Sequence, residues 1–573
     1  MAIGLASIAS PAPRLPHDVV DAASANDPRR EPVRYWLTIT LAVSTPLAAT
    51  FAEPVEPTPT VTGGLMALHA PEAQAGPCIQ PSERAAALHA ADAASMLLGL
   101  DAAGSSLGAD TRFPFYPQAG NLYSDIFHNN YVDLDPSSGI LDWACEDHTY
   151  NGHLGHDSDL RTFSEQRIGV PVFAALPGVV VGVADGNFDE RTSLTPAPAN
   201  YVILDHSALD PGLRTLYWHL KNGSIAVALG ESVEPGQQLG LTASSGFSSG
   251  PHLHFETQRN GLVFETMSGL CSPTNSSWAT QWSKRREHYL RDFGFVRGVI
   301  SGSYAPPTPF PRSRFTTNAD SSISYWIQGH NLPRGSNWRM RFIRPSGALE
   351  FDTGARSFGF STADFRSYWA WFNWNVPAMR SVFGEWTVEI DINAETAVVA
   401  KVTTAPSSTT PPNRPPYAVS GAFDPSEPAD DDVIFFRLDA DLVHDDPEYD
   451  VVSYRYQWFL DGAPIRDIVS AAHADAIPPL ATFGGGAELV VRVTPSDADA
   501  NGATTETTLS LGPTPCTAAD FAEPYGIVDI ADVVTFLQRF GAADPSADLA
   551  APQGTIDIAD VVAFLQLFGA GCA

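Results

Sequence analysis

A series of short β-type runs after Gly169 constrains the fold more than any other feature of the sequence. The runs read VPVFAALPGVVVGV, NYVILDH, RTLYWHL and HLHFETQ, and Gly and Pro interrupt them. Valine, isoleucine and aromatic residues favour strands, whereas the intervening Gly and Pro residues favour turns. The pattern predicts an antiparallel β core for this part of the chain.

The 573 residues are too many for one hydrophobic core, so we expect three to five domains. Residues 53–114 are interpreted as a linker and lead-in, with a helical segment from Ser82 to Gly99. Strong alternation of apolar and polar residues predicts a β-sandwich module at 296–404.

The C-terminal half of the chain continues with a linker and another β unit. The run APSSTTPPNRPP at 405–416 has the composition of a semi-extended linker. Residues 417–512 resemble immunoglobulin-like or PKD-like β-sandwiches through their alternating strands and Trp458. Such modules are spacers or binding surfaces, and nothing in either one indicates catalysis.

The charge balance limits the partners that the chain can have. Asp and Glu number 65 against 33 Lys and Arg, which gives a net charge of -32. This charge repels nucleic acid and anionic membrane surfaces, and it does not steer anionic cell-wall polymers towards the protein. No segment reaches the roughly 20 apolar residues of a membrane span. We therefore expect neither a nucleic-acid partner nor a transmembrane span.

Residues 1–52 are interpreted as a leader with a secretory signal. Arg29, Arg30 and Arg34 precede the apolar run YWLTITLAVSTPLAA, and small residues follow it. We expect a secreted protein that is extracellular or associated with the cell surface. An exported chain permits disulfides, and Cys516 and Cys572 are the pair we predict. The remaining cysteines are an odd set whose pairing stays open: Cys78, Cys145 and Cys271.

Two histidine clusters carry the candidate chemistry. GHLGHD contains His153 and Asp157, and SSGPHLHFE contains His252 and His254. Residues two apart in a strand face the same side, so both histidines of the second cluster can reach one site. His219 lies between the clusters on a third predicted strand. Zinc in a catalytic site takes three nitrogen or oxygen ligands and leaves a fourth position open.

In this order the clusters resemble the lysostaphin/LytM-like zinc metallopeptidases (metallopeptidase family 23), with their HxGxD, Tyr-x-His-Leu and SGxSxGPHLHFE motifs. The resemblance implies an antiparallel β-sheet metallopeptidase domain at 115–295. It implies one zinc ion bound by His153, Asp157 and His254, and two catalytic histidines, His219 and His252. His156 and His148 depart from the family pattern, and we expect such an additional histidine to face solvent rather than metal.

The resemblance implies a zinc endopeptidase that cleaves peptide cross-links or stems of bacterial peptidoglycan. Two alternatives stay open. The enzyme could cleave Gly-rich extracellular proteins, or the domain could be a non-catalytic module that binds or regulates the cell wall. Retention of all three predicted ligands and both predicted catalytic histidines favours hydrolysis.

The last segment, 513–573, contains a repeat with an offset of 28 residues. Each copy reads as an acidic loop and a helix, and the pair resembles a dockerin-like domain of the Gly-Cys type. The resemblance implies a small α-helical module that attaches to a surface or protein partner. Its candidate calcium ligands are Asp520, Asp529, Asp532, Asp548, Asp557 and Asp560.

The repeat departs from a standard calcium loop. Gly526 and Gly554 lie one residue late, and Pro524 and Pro552 replace usual ligands. The alternative is a metal-free helical tail closed by a disulfide. Taken together, the sequence predicts a mainly β, multidomain chain: a metallopeptidase domain, two β-sandwich modules and a helical C-terminal domain.

Overall fold

The structure is a computed structural model, and it shows a mainly β chain. It describes residues 59–69, 78–100, 111–300, 312–358, 364–439, 445–484, 486, 488–511, 516–522, 525–551 and 554–572. The signal predicted within residues 1–52 lies outside the described residues. Among the described helices, none combines the length and apolar character needed to cross a membrane.

The lead-in contains strand β1 (Thr60–His69) and helix α1 (Pro81–Leu98). The helix begins with proline in its first turn and ends at Gly99, whose φ of 70° is a left-handed conformation that favours glycine. It buries a face of small residues against the following sheet: Ala87, Ala91, Ala94 and Ser95. The helix predicted from Ser82 to Gly99 is therefore confirmed.

The central sheet is built from the β-type runs that the sequence singled out. Its elements, with a short helix and a two-stranded sheet beside it, are β2 (Phe127–Asn130), β3 (His156–Asp159), α2 (Phe163–Ile168), β4 (Pro171–Phe173), β5 (Gly178–Ala184), β6 (Tyr201–Asp205), β7 (Leu213–Trp218), β8 (Ser232–Val233), β9 (Gln238–Leu241), β10 (His252–Arg259) and β11 (Leu262–Val263). The antiparallel strand order is β2, β3, β10, β7, β6, β5, β8, with β11 paired to β10, while β4 pairs with β9. Strands β3, β10 and β7 are thus adjacent, although almost 100 residues separate the first two.

The second β region forms two sheets around one hydrophobic core. Its strands are β12 (Tyr289–Arg297), β13 (Phe315–Thr317), β14 (Ile323–Leu332), β15 (Asn337–Ile343), β16 (Leu349–Asp352), β17 (Arg356–Ser357), β18 (Phe365–Asn375), β19 (Gly384–Ile392) and β20 (Glu395–Ala405). One sheet has the order β1, β18, β14, β12, and the other has the order β13, β20, β19, β15, β16, with β17 beside β15. A 3₁₀ turn at Pro377–Arg380 follows β18. Side chains of both sheets, including Phe293 and Trp386, are buried in the same cluster.

The third β region repeats this plan with shorter strands. They are β21 (Gly421–Asp424), β22 (Ile434–Leu438), β23 (Ser453–Leu460), β24 (Ala463–Ser470), β25 (Ala474–Ile477), β26 (Glu488–Ser496) and β27 (Thr505–Ser510), with a 3₁₀ turn at Leu480–Phe483. The sheets β21, β22, β25 and β24, β23, β26, β27 enclose Trp458, which is fully buried.

The C-terminal repeat folds as two helices, α3 (Ile530–Gly541) and α4 (Ile558–Ala570), with a 3₁₀ turn at Pro545–Ala547 between them. Phe536 and Phe564, which are equivalent residues of the two copies, stack with ring centroids 4.1 Å apart. The predicted disulfide between Cys516 and Cys572 is present.

Candidate metal centre

Three predicted zinc ligands meet where β3 lies beside β10. In the register of this antiparallel pair, Asp157 is directly opposite His254, so their side chains share one face. The Asp157 Oδ1 atom is 2.9 Å from His254 Nδ1, and His153 Nε2 is 3.1 Å from Asp157 Oδ1 and 3.2 Å from His254 Nδ1. All three residues are at most 2% exposed. The structure thus gathers two imidazole nitrogens and a carboxylate oxygen in a buried site.

Hydrogen bonds on the far side of His153 and Asp157 fix the orientation of these two ligands. His153 Nδ1–H donates to the Tyr131 carbonyl oxygen at 2.7 Å. The Asn130 side-chain amide donates to Asp157 Oδ2 at 3.0 Å. Hydrogen bonds to the atoms of a ligand that do not bind the metal orient that ligand towards the metal, and in a histidine they fix the tautomer. Sequence reasoning missed Asn130 because no motif includes it, and it reaches the site only through the pairing of β2 with β3.

Gly155 in the HxGxD motif is required by the close approach of the two strands. A Cβ atom at this position would lie 2.6 Å from the Phe255 carbonyl oxygen and 2.8 Å from the His254 ring. A side chain here would push β3 away from β10. The glycine therefore allows Asp157 and His254 to approach within ligand distance.

The two predicted catalytic histidines lie beside this cluster. The rings of His219 and His252 are 4.5 Å apart between centroids. His219 Nδ1–H donates to the Ser245 carbonyl oxygen at 2.6 Å, and His252 Nδ1–H donates to the Gly250 carbonyl oxygen at 2.8 Å. A carbonyl oxygen only accepts, so in each neutral ring the Nε2 atom carries the lone pair. His252 Nε2 lies 3.8 Å from Asp157 Oδ1.

The position of His219 differs in one respect from the sequence prediction. It was placed on a strand, but β7 ends at Trp218 and His219 follows with a φ of 67°. This left-handed conformation turns the chain out of the sheet, and the hydrogen bond to Ser245 holds the ring there. Sequence alternation cannot predict such a turn for a residue other than glycine.

The donor set fits a zinc ion. Tetrahedral zinc with bonds of about 2.0 Å separates its nitrogen and oxygen ligands by about 3.3 Å, close to the three distances in this cluster. His219 Nε2 and His254 Nε2 are also buried and have no hydrogen-bond partner within the described residues. A fourth donor is the Cys78 sulfur, 3.1 Å from His254 Nδ1. The ligand atoms of Cys78, His153, Asp157 and His254 all lie within 4.8 Å of one another.

The electrostatics of these protein groups follow from burial opposed by close partners. Burial acts to raise the pKa of Asp157, but His153 and His252 hold it well below its ordinary value. Burial acts to lower the pKa of His153, yet Asp157 raises it to about 9. Burial also acts to lower the pKa of His252, but Asp157, Cys78 and Asp159 together raise it to about 9. Burial and neighbouring His252 lower the pKa of His219.

The expectation that an additional histidine faces solvent was wrong for His156. It is 2% exposed, and its Nε2 atom lies 2.7 Å from Glu265 Oε1. The side chains of β3 alternate, so His156 points to the face opposite Asp157. Its polar ring is satisfied by a buried carboxylate rather than by water or by the metal cluster.

Four of the six C-terminal aspartates cap helices. Asp529 and Asp557 are the N-terminal cap residues of α3 and α4, and each side chain accepts a hydrogen bond from the backbone N–H two residues later. The side chains of Asp532 and Asp560 in turn accept from the backbone N–H of these cap residues. Each pair forms a capping box that satisfies two free N–H groups of the first helical turn. These carboxylates therefore have a structural role at the start of α3 and α4.

The other two aspartates hold the loops that precede the helices. Asp520 Oδ2 accepts from the N–H groups of Cys516 and Gly526, and Asp548 accepts from the N–H of Gly554. The second oxygen, Oδ1, of each is buried without a hydrogen-bond partner in the described residues. Within the described part of the chain, no three of the six aspartates bring oxygens within 4.8 Å of one another.

Comparisons with known proteins match the part of the chain that forms the central sheet. Residues 161–265 match the model of peptidase family M23. The chain is 37% identical over 100 residues to the peptidoglycan DD-endopeptidase ShyA of Vibrio cholerae, covering 18% of this chain and 20% of that protein. It is 34% identical over 147 residues to ShyB of the same organism, also a peptidoglycan DD-endopeptidase, covering 25% and 30%. The chain thus spans less than a third of the length of these relatives.

Among solved structures, a zinc-containing peptidase from Vibrio cholerae matches with 24% identity and a TM-score of 0.19. The match covers 30% of this chain and 43% of that one. The matched family segment contains β10 with its two histidines and the turn that carries His219. Residues 161–265 of this chain therefore match peptidase family M23 in the segment that carries these three histidines.

Proposed function

We propose that the chain is a zinc-dependent endopeptidase that hydrolyses peptide cross-links or stems of bacterial peptidoglycan. The observation that carries the proposal is the convergence of five side chains in one buried cluster. Three of them offer two nitrogens and an oxygen at 2.9 to 3.2 Å, and two more histidines stand beside them with their Nδ1–H groups bonded to backbone carbonyls.

His153, Asp157 and His254 would hold the ion. When bound, zinc supplies Lewis acidity towards a water molecule and the scissile carbonyl group. His219 and His252 present Nε2 lone pairs in their neutral forms, because their Nδ1–H groups are used by backbone carbonyls. Each neutral ring can accept a proton at Nε2. Once protonated, the Nε2–H group can donate to the developing oxyanion or to the leaving amine.

Peptidoglycan is proposed as the substrate because the matched relatives from Vibrio cholerae are named for it. The test is digestion of purified sacculi with zinc-loaded protein and identification of the released peptides by mass. We expect His254→Ala to lose both zinc and hydrolysis. The exposed His89→Ala is the matched control and should retain both. Hydrolysis of Gly-rich peptides without any action on sacculi would indicate that the substrates are Gly-rich extracellular proteins instead.

We also propose that the chain is exported, since its proposed substrate lies outside the cytoplasm. The support is the arginine-flanked apolar run before residue 52. N-terminal sequencing of protein recovered from the medium should begin after this run. Recovery of the folded protein with Met1 intact would contradict export.

For the C-terminal repeat we propose a dockerin-like anchor that binds calcium. The support is the Oδ1 atom of Asp520 and of Asp548, equivalent residues in which this atom is buried and has no partner in the described part of the chain. Calcium should produce heat in calorimetry of the full chain, and Asp520→Ala together with Asp548→Ala should abolish that heat. A titration without heat would favour the metal-free helical tail.

An apolar surface on the same repeat supports a partner. Three residues of α3 recur at equivalent positions of α4, and all six are 49% to 73% exposed: Ile530, Val534, Leu537, Ile558, Val562 and Leu565. They lie at a spacing of four and three residues, which places them on one face of each helix. Exposed apolar faces of this kind are typical of protein contact surfaces.

A further inference from the structure

Cys78 is the one cysteine of the chain outside a disulfide, and its sulfur lies within the metal cluster. The other four form the pairs Cys145 with Cys271 and Cys516 with Cys572. Cys78 is 2% exposed, and its Sγ atom is 3.1 Å from His254 Nδ1. The same sulfur lies within 4.8 Å of ligand atoms of His219 and His252.

We infer that Cys78 is a fourth ligand of the zinc ion and that the lead-in segment thereby holds the enzyme latent. The inference rests on the proposed function, because a peptidase needs the fourth position for water. Thiolate sulfur is a common zinc ligand, and the thiol releases its proton to solvent when it binds. With sulfur in that position, the zinc site has the closed coordination of a structural site rather than an open catalytic one.

The catalytic histidines provide independent support. His219 uses Nδ1 for the Ser245 carbonyl, so Nε2 is the atom left to face the cluster, and this buried Nε2 has no hydrogen-bond partner among the residues that the structure describes. Cys78 stands against the same ring. The sulfur therefore occupies space in which a substrate and its attacked carbonyl would have to contact His219 and His252.

Backbone contacts place the sulfur. The Cys78 N–H donates to the Tyr150 hydroxyl at 2.9 Å, and the Tyr150 ring packs 4.5 Å from the ring of His153. Tyr150 is itself 2% exposed. This contact gives Tyr150 a role, which is to hold the lead-in at the metal site.

Helix α1 begins three residues after Cys78 and ties this position to the central sheet. Its small side chains pack on Val181, Ile203 and Leu216. The Ala199 N–H donates to Glu83 Oε1 at 2.7 Å. Arg84 Nε donates at 3.0 Å to Glu256, a residue of β10 on the same face as His254. The Cys78 sulfur can therefore move out of the site only after helix α1 separates from the central sheet.

Zinc X-ray absorption on the full-length protein tests the ligand directly. The wild type should show one sulfur at about 2.3 Å besides nitrogen and oxygen at about 2.0 Å. Cys78→Ser should keep about one zinc per chain and lose the sulfur. Replacement of zinc by Co²⁺ gives a second readout, since only a thiolate ligand produces a sulfur-to-cobalt charge-transfer band.

A second pair of variants leaves the thiol intact and moves the helix. Ala91 is 0% exposed against the sheet, whereas neighbouring Ala90 is exposed. Ala91→Arg should displace α1 and remove the sulfur signal, and Ala90→Arg should retain it. Peptidoglycan hydrolysis should rise on the order of tenfold or more in Cys78→Ser and Ala91→Arg, because the open form is no longer a minor population.

The outcomes separate the two proposals. Two results would contradict the role of Cys78 without affecting the proposed peptidase activity. One is a wild-type zinc site with only nitrogen and oxygen neighbours, and the other is equal hydrolysis by the wild type and Cys78→Ser. If the sulfur ligand disappears in Cys78→Ser but no variant hydrolyses peptidoglycan, the result would support Cys78 as a zinc ligand and contradict the proposed peptidase activity.

Discussion

At the scale of single residues, the site depends on side chains that the sequence motifs name and on others that they do not. The ligand and histidine positions were predicted from the resemblance of their motifs to a known family, whereas strand alternation indicated only that His252 and His254 share a face. Asn130 and Cys78 could not be predicted, because they reach the cluster through strand pairing and helix docking rather than through local sequence.

Asn130→Ala should lower zinc affinity about 10-fold to 100-fold, the range typical of lost outer-shell contacts. The change removes the amide that holds Asp157 Oδ2 and thus frees the carboxylate to rotate away from His254. Competition with a chromophoric chelator measures the affinity. Equal affinities for the variant and the wild type would show that Asp157 is oriented by other contacts.

Gly155→Ala should weaken zinc binding and destabilise the peptidase domain by about 1 to 3 kcal/mol, as expected for overpacking. The reason is the Phe255 carbonyl oxygen, which a Cβ atom would approach to 2.6 Å. Gly541→Ala, where a Cβ atom meets nothing within 4 Å, is the control. The idea fails if the Gly155 variant binds zinc and melts like the control.

At the scale of elements, alternation predicted the type of most strands but not their partners. Strand β1 pairs with β18 rather than with the peptidase sheet, and β12 pairs with β14 although it was placed within 115–295. Both pairings join segments distant in sequence, and local propensity contains no information about them. The C-terminal helices, in contrast, could be predicted because each copy of the repeat contains its acidic loop and helical pattern within a short local segment.

The capping boxes lead to a prediction for individual helices. Asp529→Ala removes the cap of α3 and Asp557→Ala removes that of α4, each at a cost of about 1 kcal/mol. Hydrogen exchange in the absence of calcium should be roughly fivefold faster in the first turn of the affected helix alone. Each variant is the control for the other, and equal effects on both helices would contradict a local role.

At the scale of the whole molecule, a buried histidine links the peptidase domain to the third β region. His473 is 0% exposed, with Nδ1 at 2.8 Å from Asp125 and Nε2 at 2.8 Å from Asp445. Tyr454 and Arg161 are the other polar groups at this contact. Burial acts to lower the pKa of His473, but the two carboxylates raise it to about 9.

This link should weaken in alkali. The folded pKa is above the unfolded value of about 6.5, so the stabilisation is complete below about pH 6.5 and is lost as pH rises through about 9. Its upper limit is about 3 kcal/mol. Thermal unfolding of zinc-loaded protein between pH 6 and pH 10 should show the loss, and His473→Gln should flatten it. A variant with the wild-type pH dependence would assign the effect to other groups.

We propose that this buried cluster hydrolyses peptide bonds and that the lead-in closes its metal site. Mass analysis of sacculi treated with zinc-loaded wild type, Cys78→Ser and His254→Ala tests it most directly. We expect cleaved peptide cross-links or stems, most abundant with Cys78→Ser and absent with His254→Ala. Intact sacculi after treatment with zinc-loaded Cys78→Ser would contradict it.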